Sequence, residues 1–325
     1  MIVQFRTNPL RRFVGILLYI WQVFTLSTVC VLAVYALYEY GSIRWIGFGS
    51  AIPLGVVGTA LAIFLGFRNN SAYDRWWEGR KIWGGIVNIS RTMGAQIMTY
   101  VTDHHVNKDV PPHEIAQLHQ ELVYRHIAYI NALRLHLRKQ DEQYEEVLGP
   151  FLDEAELKDV LAKRNKPTQI AFRQSQRLKQ ILKDNLIEDF RLYEMMHSIE
   201  TMYELQGKCE RIKNTPFPLY YSFFTRMILY IFVLFLPLSV IGVFHKLHVT
   251  WAAIPVCIIT SCMLGVIERT ARTTENPFEN FYGDVPMTGL CRTIEIDMRE
   301  MLGETDTVPP PLPRENVRGG IQVIR

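Results

Sequence analysis

The chain has 325 residues, of which 49% are hydrophobic and 21% are charged, and its formal net charge at pH 7 is +3. A charge this small gives no indication of nucleic-acid binding. The five cysteines are scattered without a CxxC pair, which favours free thiols in packed helices over a zinc or redox site. No HExxH, GxSxG or Walker loop occurs, so we expect no enzyme activity.

The apolar residues gather in four blocks that contain no charged residue and no histidine. These blocks are residues 13–38, 45–67, 227–244 and 249–267. Since a helix rises about 1.5 Å per residue, roughly 20 apolar residues cross a bilayer core. The pattern predicts an all-α membrane protein with four transmembrane helices in two hairpins, within residues 1–67 and 227–267. The first block is far longer than the apolar core of a signal peptide, so we expect it to remain as a helix.

Basic residues are distributed unequally between the two ends of these spans. The short links 39–44 and 245–248 carry only Arg44 and Lys246. Arginines and lysines are much more frequent at the other ends of the spans, and such residues stay in the cytoplasm. We therefore expect a multi-pass protein of the cell inner membrane, with both termini and residues 68–226 in the cytoplasm.

The middle of the chain, residues 68–226, is predicted to be helical. Apolar residues recur at helical spacing over 114–139, and a second long helical stretch covers 174–213. No stretch shows sustained alternation, so we expect little or no sheet. Residues 268–325 form a cytoplasmic C-terminal segment, whose proline-rich tail from Gly303 is expected to be extended or disordered unless a neighbouring subunit holds it. The whole chain is treated as a single unit.

Two stripes of residues at four-residue spacing run along the second predicted span. One stripe comprises Gly58, Ala62 and Gly66, and the adjacent stripe comprises Thr59, Ile63 and Phe67. Small residues at this spacing let helix backbones approach closely. Both stripes can be interpreted as packing faces. Alternatively, one packs between subunits while the other lines a narrow apolar constriction, which gates by excluding water.

A run of aromatic and charged residues, GFRNNSAYDRWWEGR at residues 66–80, follows directly. It suits a membrane interface, but it also resembles the bestrophin family, specifically its prokaryotic members. Further matches occur in the same order, at CERI (209–212) with TPFP (215–218), ENPFE (275–279) and CRTIEI (291–296). The resemblance extends from Arg6 to about Leu302. The motif residues of the first run are Arg68, Asn70, Tyr73, Asp74, Arg75, Trp76, Trp77 and Glu78.

Bestrophins are pentameric ion channels with one central pore, so the resemblance implies that five copies of the second span surround an axis. The implied neck residues are Thr59, Ile63 and Phe67. The candidates for the implied cytoplasmic aperture are Tyr193, Leu192 and Met196. Relatives usually carry a large apolar residue at the outermost neck position, so Thr59 implies a wider or wetter outer neck.

Metal and cofactor sites are not expected. Animal bestrophins bind Ca²⁺ with a dense acidic run after the NPF segment, whereas residues 279–284 here contain only two acidic residues. Calcium favours six to eight oxygen ligands, so we expect no calcium binding. His104, His105, His113 and His119, with Glu114, lack the usual zinc spacings and favour a solvated loop.

The sequence therefore predicts passive conduction of small monovalent ions, with anions such as chloride as the family default. A cation channel of the same fold is an alternative, because an apolar neck does not determine the sign of the conducted ion. A non-conducting membrane scaffold or sensor is a second alternative. A secondary transporter is less favoured, since no ionisable residue lies mid-span and no repeat relates the hairpins. Arg68, Arg75 and Arg80 are interpreted as shaping the pore potential, or as interfacial anchors or partners of Asp74 or Glu78.

Overall fold

A computed structural model describes residues 4–5, 15–41, 43–47, 54–103, 110–281, 283–304, 308–312, 315–317 and 321–323. Most of these residues are helical. The helices are α1 (Trp21–Glu39), α2 (Leu54–Tyr100), α3 (Pro112–Arg138), α4 (Tyr144–Leu148), α5 (Glu154–Leu161), α6 (Lys166–Lys183), α7 (Asp189–Asn214), α8 (Leu219–Lys246), α9 (Ala253–Thr274) and α10 (Met287–Met301). The strands are β1 (Gln4–Phe5), β2 (Glu315–Val317) and β3 (Ile321–Val323).

Three segments of the described chain are long and apolar enough to cross a membrane. They are Trp21–Glu39, Tyr220–Lys246 and Thr250–Thr274, which correspond to three of the four apolar blocks. The other block, 45–67, is described at residues 45–47 and from Leu54 onward, because residues 48–53 lie outside the described residues. The long apolar helices make the chain a membrane protein, while the count of four spans stays a prediction.

Helix α2 is the longest element and joins two packing environments. It contains 47 residues, about 70 Å at the usual rise, and it continues without a break past Phe67, where the apolar block ends. Its first half packs with α8 and α9 through a cluster that includes Leu61 and Leu65. Its second half packs in a separate core, where Trp83 is fully buried.

That second core is built from α2, α3, α6, α7 and α10. The predicted helix over 114–139 is found as α3, which ends where Lys139 adopts a left-handed backbone conformation with φ of 56°. The predicted stretch over 174–213 is wrong as a single helix, because α6 and α7 are separate. Asn185 has φ of 58°, and the Leu186 N–H donates to the carbonyl of Ile181. This left-handed ending needs no glycine, since asparagine also tolerates it.

The two chain ends meet in a small antiparallel sheet of order β1-β3-β2. Gln4 pairs with Gln322, and Glu315 pairs with Val323. Part of the proline-rich tail is therefore held by the N-terminal strand of its own chain, which the sequence analysis did not predict. The missed signal is Gly319-Gly320 between Val317 and the short apolar stretch from Ile321, a hairpin pattern that is weak at this length.

Candidate pore-lining helix and its cytoplasmic support

One face of α2 packs inside the subunit and the opposite face has no cover. Leu61 and Leu65 are buried against α8 and α9, whereas Ile63 is 54% and Phe67 66% exposed. Thr59 is also exposed, and its hydroxyl donates to the Gly55 carbonyl of its own helix at 2.9 Å. The three predicted neck residues thus share an uncovered, largely apolar face, which is typical of a surface that meets another chain or a membrane.

The stripe of small residues does not form a single packing face. A Cβ atom at Gly58 would lie 3.0 Å from Cε2 of Phe232, whereas one at Gly66 would meet no atom within 4 Å. Four residues turn an α-helix by about 400°, so a stripe at this spacing drifts by about 40° per step. Gly58 consequently contacts α8, while Ala62 and Gly66 are exposed beside the predicted neck. Packing of Ala62 and Gly66 between subunits stays a prediction.

A buried ion-pair cluster lies immediately after the neck residues. Arg68 is fully buried, and its Nη1 and Nη2 donate to Glu268 Oε1 and Glu275 Oε2, each at 3.1 Å. Arg226 contributes a second guanidinium, with Nε 3.4 Å from Glu268 Oε1. Two carboxylates and two guanidinium groups thereby hold α2 against the end of α9.

The partners of Arg68 differ from those that the sequence suggested. Glu268 and Glu275 belong to the end of α9 and the residue after it, whereas Asp74 and Glu78 lie on α2 itself. Asp74 is six residues from Arg68, which places it about 240° around the helix. The interpretation of Arg68 as a partner of those acids is therefore wrong, because tertiary packing supplies the buried pair.

The family motifs meet at one place in the fold. Arg75 donates from Nε to the Glu275 carbonyl and from Nη2 to the Ile212 carbonyl, both at 2.9 Å. Trp76 Nε1 donates to the Gly283 carbonyl at 2.8 Å. A Cβ atom at Gly79 would lie 3.1 Å from Cζ of Phe278, so a larger residue there would press against this ring. The YDRWWEG run thus contacts both the CERI and the NPF segments.

The remaining motif side chains lie on the outer surface of α2. Asn70 Nδ2 donates to Asp74 Oδ2 at 3.3 Å, and Glu78 Oε2 lies 2.9 Å from Lys81 Nζ. Tyr73 and Trp77 stack with ring centroids 6.5 Å apart. Arg80 lines a shallow basic groove with Lys81 and Arg91. These exposed pairs contribute little to subunit stability, so they are available for a membrane interface or a neighbouring subunit.

The aperture candidates lie near the start of α7 with unequal exposure. Tyr193 is 76% exposed and Met196 39%, whereas Leu192 packs partly buried against the second core. Phe190, which the sequence analysis did not single out, is more exposed than any of them, at 86%. Phe190 lies two residues before Leu192, and no local sequence pattern distinguishes it from the other apolar residues of this helix.

The histidine and acidic groups are arranged differently from a metal site. His119 is buried in α3, with Nε2 2.8 Å from the Val101 carbonyl, so its assignment to a solvated loop is wrong. His104 and His105 lie outside the described residues. Glu279 pairs with Lys213 at 2.7 Å, and Asp284 accepts the Phe281 N–H at 3.0 Å. The described part of the chain contains no group of three or more His, Cys, Asp or Glu residues suited to a metal.

Comparison with known proteins agrees with this arrangement. The family model described as "Bacterial/Fungal Bestrophin protein" matches residues 11–300. The chain belongs to this bestrophin family. Among its relatives, the voltage-dependent anion channel-forming protein of Synechocystis is 30% identical over 79% of this chain and 80% of the relative. The voltage-dependent anion channel-forming protein YneE of Escherichia coli is 28% identical over 80% of each chain.

The bestrophin fold is also found in solved structures. The crystal structure of a bestrophin homologue from Klebsiella pneumoniae has a TM-score of 0.77 at 24% identity and covers 88% of this chain and 99% of its own. A variant of that protein gives a TM-score of 0.76 at 25% identity, with the same coverage. The resemblance that the sequence analysis drew from its motifs is confirmed at the level of family and fold.

Proposed function

We propose that five copies of this chain form an ion channel that conducts small monovalent anions passively through a central pore. Two relatives that cover most of the chain carry names that describe anion channel formation, which supports this function. The observation that carries the proposal is the uncovered face of α2, with Thr59, Ile63 and Phe67, opposite a face that packs inside the subunit. A homopentamer would turn this face toward its axis.

In this proposal Ile63 and Phe67 form a hydrophobic neck. Water and ions leave a narrow apolar bore unless it widens, so side chains of this size would hold the pore closed by dewetting. Thr59 would keep the outer end of the neck more hydrated. On the cytoplasmic side, Tyr193 has the exposure that an aperture residue requires, with Met196 next and Leu192 the weakest candidate.

The proposed channel lies in the cell inner membrane with four spans per subunit and both termini in the cytoplasm. The described apolar helices supply three spans, and the first half of α2 with the residues before it supplies the fourth. The cluster of Arg68 would anchor this span where it enters the cytoplasm. Calcium plays no part in the proposed gating, since Glu279 and Asp284 are engaged in other contacts.

The neck is tested by single-channel recording of Ile63→Ala in planar bilayers. We expect a larger current, because a smaller side chain widens and hydrates the bore. The matched control is Ile259→Ala on α9, an isoleucine of similar exposure, 59%, two residues from the buried Cys257 and Ser261 and so on the opposite side of that helix. Unchanged current in Ile63→Ala, with Ile63→Cys modified by a thiol reagent from the pore, would contradict the neck.

Ion selectivity is tested separately, by the reversal potential in asymmetric sodium chloride. A potential near the chloride equilibrium value supports the anion channel, and one near the sodium value replaces it with a cation channel of the same fold. A well-folded sample that carries no flux of either ion in liposomes would favour a non-conducting scaffold. Saturable uptake coupled to an ion gradient would indicate a transporter.

A further inference from the structure

A cavity of about 410 Å³ lies in the cytoplasmic helical region, and α2 contributes no residue to its lining. Its apolar lining comes from α3, α4 and the segment that follows α4, while its basic lining comes from α3 and α10. The apolar and aromatic side chains are Tyr124, Val147, Pro150 and Phe151. The ionic side chains are Arg134, Arg292, Arg299 and Glu295. Three arginines against one glutamate make the cavity basic.

Arg134 lines this cavity with a charge that no neighbouring carboxylate of the described chain balances and an Nε donor that has no acceptor. It is 8% exposed, and its Nη2 donates to Asn131 Oδ1 at 3.4 Å. Its Nε is buried without an acceptor. Among the described residues no carboxylate forms an ion pair with it. A buried charge without a counter-ion is costly, and a bound anion would remove that cost.

The other two arginines that line the cavity have carboxylate partners. Arg292 and Arg299 both contact Glu295, at 3.2 and 3.5 Å, and Arg299 also pairs with Glu304 at 2.6 Å. Nine residues earlier on α3, Arg125 is buried to the same degree but holds the carboxylate of Glu156 at 2.7 Å. Among the three arginines that line the cavity, Arg134 is therefore the one without a carboxylate partner in the described part of the chain.

Cys291 does not supply the missing charge. Its thiol lines the same cavity, but burial raises its pKa to about 12, so it stays neutral at physiological pH. Its Sγ instead donates to the Ile130 carbonyl at 3.7 Å. The guanidinium of Arg134 consequently faces neutral groups and open space.

We infer that this cavity binds a small organic anion, whose oxyanion group pairs with Arg134 and whose apolar body packs against Phe151 and Tyr124. A charged guanidinium recognises the planar or tetrahedral oxygens of a carboxylate or a phosphate. The two rings pack edge to face with centroids 5.8 Å apart, and they add an aromatic surface that a bare inorganic ion would leave unused. This site is distinct from the proposed pore and does not depend on conduction.

The probes for this site are phenyl phosphate, benzoate and inorganic phosphate, each added to the purified full-length protein at constant chloride and ionic strength. Thermal unfolding followed by tryptophan fluorescence should give a saturable rise in Tm with phenyl phosphate or benzoate. Inorganic phosphate should bind more weakly, because it lacks an apolar body. The tighter of the two aromatic probes identifies whether the oxyanion is a phosphate or a carboxylate.

Two variants separate binding from a structural role of Arg134. Arg134→Gln should raise the Kd of the better probe at least about tenfold, since a charged hydrogen bond is lost, without lowering the Tm of the unliganded protein. Asn131→Asp keeps Arg134 and places a carboxylate beside it, so it should abolish probe binding and raise the unliganded Tm. Arg164→Gln, an exposed arginine elsewhere, is the control and should bind the probe like the wild type.

Failure of both aromatic probes to bind the wild-type protein would overturn the inference. Equal probe affinity in Arg134→Gln and the wild type would do the same. If Arg134→Gln fails to fold, Asn131→Asp decides alone, and normal probe binding by that variant shows that Arg134 is a structural residue.

Discussion

At the scale of single residues, burial separates the roles of similar side chains. Arg68 lies one residue after Phe67, yet the arginine is enclosed by two carboxylates while the phenylalanine is 66% exposed. In the sequence, the apolar stripe that ends at Phe67 is followed directly by the charged Arg68, as expected where a membrane span ends. Only the fold shows that the charge turns inward. Its partners come about 200 residues later in the chain, which no local pattern can reveal.

Replacing Arg68 should therefore destabilise the subunit strongly. Arg68→Met leaves the buried carboxylates of Glu268 and Glu275 with less positive charge, a loss of about 3–5 kcal/mol for a buried pair. Thermal unfolding of the purified protein measures the change. Lys81→Met is the control, because its contact with Glu78 is largely exposed and worth less than about 1 kcal/mol. Similar Tm shifts in both variants would contradict the assigned role of Arg68.

Asp284 should make stability fall as the pH rises. Burial raises its pKa to about 6, whereas an unfolded aspartate titrates near 3.9. The folded chain thus holds a proton that the unfolded chain has lost, so stability is highest at acidic pH and decreases from about pH 4 to about pH 6. Asp284→Asn stays neutral and can still accept the Phe281 N–H. It should be more stable than the wild type at pH 7.5, on the order of 1–3 kcal/mol.

The difference between Asp284→Asn and the wild type should be much smaller at pH 4.5 than at pH 7.5, because Asp284 is then largely protonated in the fold and only ionisation of the unfolded chain still contributes. Denaturation at the two pH values measures it. Asp184→Asn, which changes an exposed aspartate, should show no such dependence on pH. A constant offset between Asp284→Asn and the wild type at both values would exclude titration of Asp284 as the cause.

At the scale of elements, the sequence predicted a helix correctly where a single periodic pattern of apolar residues packs against a single core. Helix α3 was predicted within a few residues, because its apolar positions face a single core and prolines mark its start. The break between α6 and α7 was missed, because Asn185 permits a left-handed turn without interrupting the apolar period. The stripe of small residues was read as one face, although its drift divides Gly58 from Gly66 between two environments.

The close approach of α2 to the NPF segment gives a prediction for an element contact. Gly79→Val should lower stability by about 1–3 kcal/mol, because Phe278 and Pro277 leave no room for a side chain. The matched control is Gly207→Val on α7, where a Cβ atom meets nothing within 4 Å, so the change should stay within about 0.5 kcal/mol. Equal unfolding temperatures for the two variants would show that the NPF contact is loose.

At the scale of the whole molecule, the chain ends limit the topology. β1 and β3 are paired strands from opposite ends of the sequence, and a bilayer cannot separate paired strands. The hydroxyl of Tyr19, just before α1, also donates to the Arg269 carbonyl near the end of α9 at 3.0 Å. These contacts support the prediction that both ends lie on one side, which would require an even number of crossings. With three apolar helices described, we expect the first half of α2 to be the fourth span, an argument that does not use the composition of α2 itself.

This topology predicts how the intact protein is labelled in cells. Green fluorescent protein fused to either terminus should fluoresce, because it matures in the cytoplasm and we propose that both ends lie there. Leu247→Cys, at the exposed tip after α8, should react with a membrane-impermeant maleimide added outside, whereas Ile259→Cys, inside α9, should not. Fluorescence from only one terminus would require an odd number of crossings. That result would remove the first half of α2 from the membrane, and with it the pore-lining role of Ile63 and Phe67.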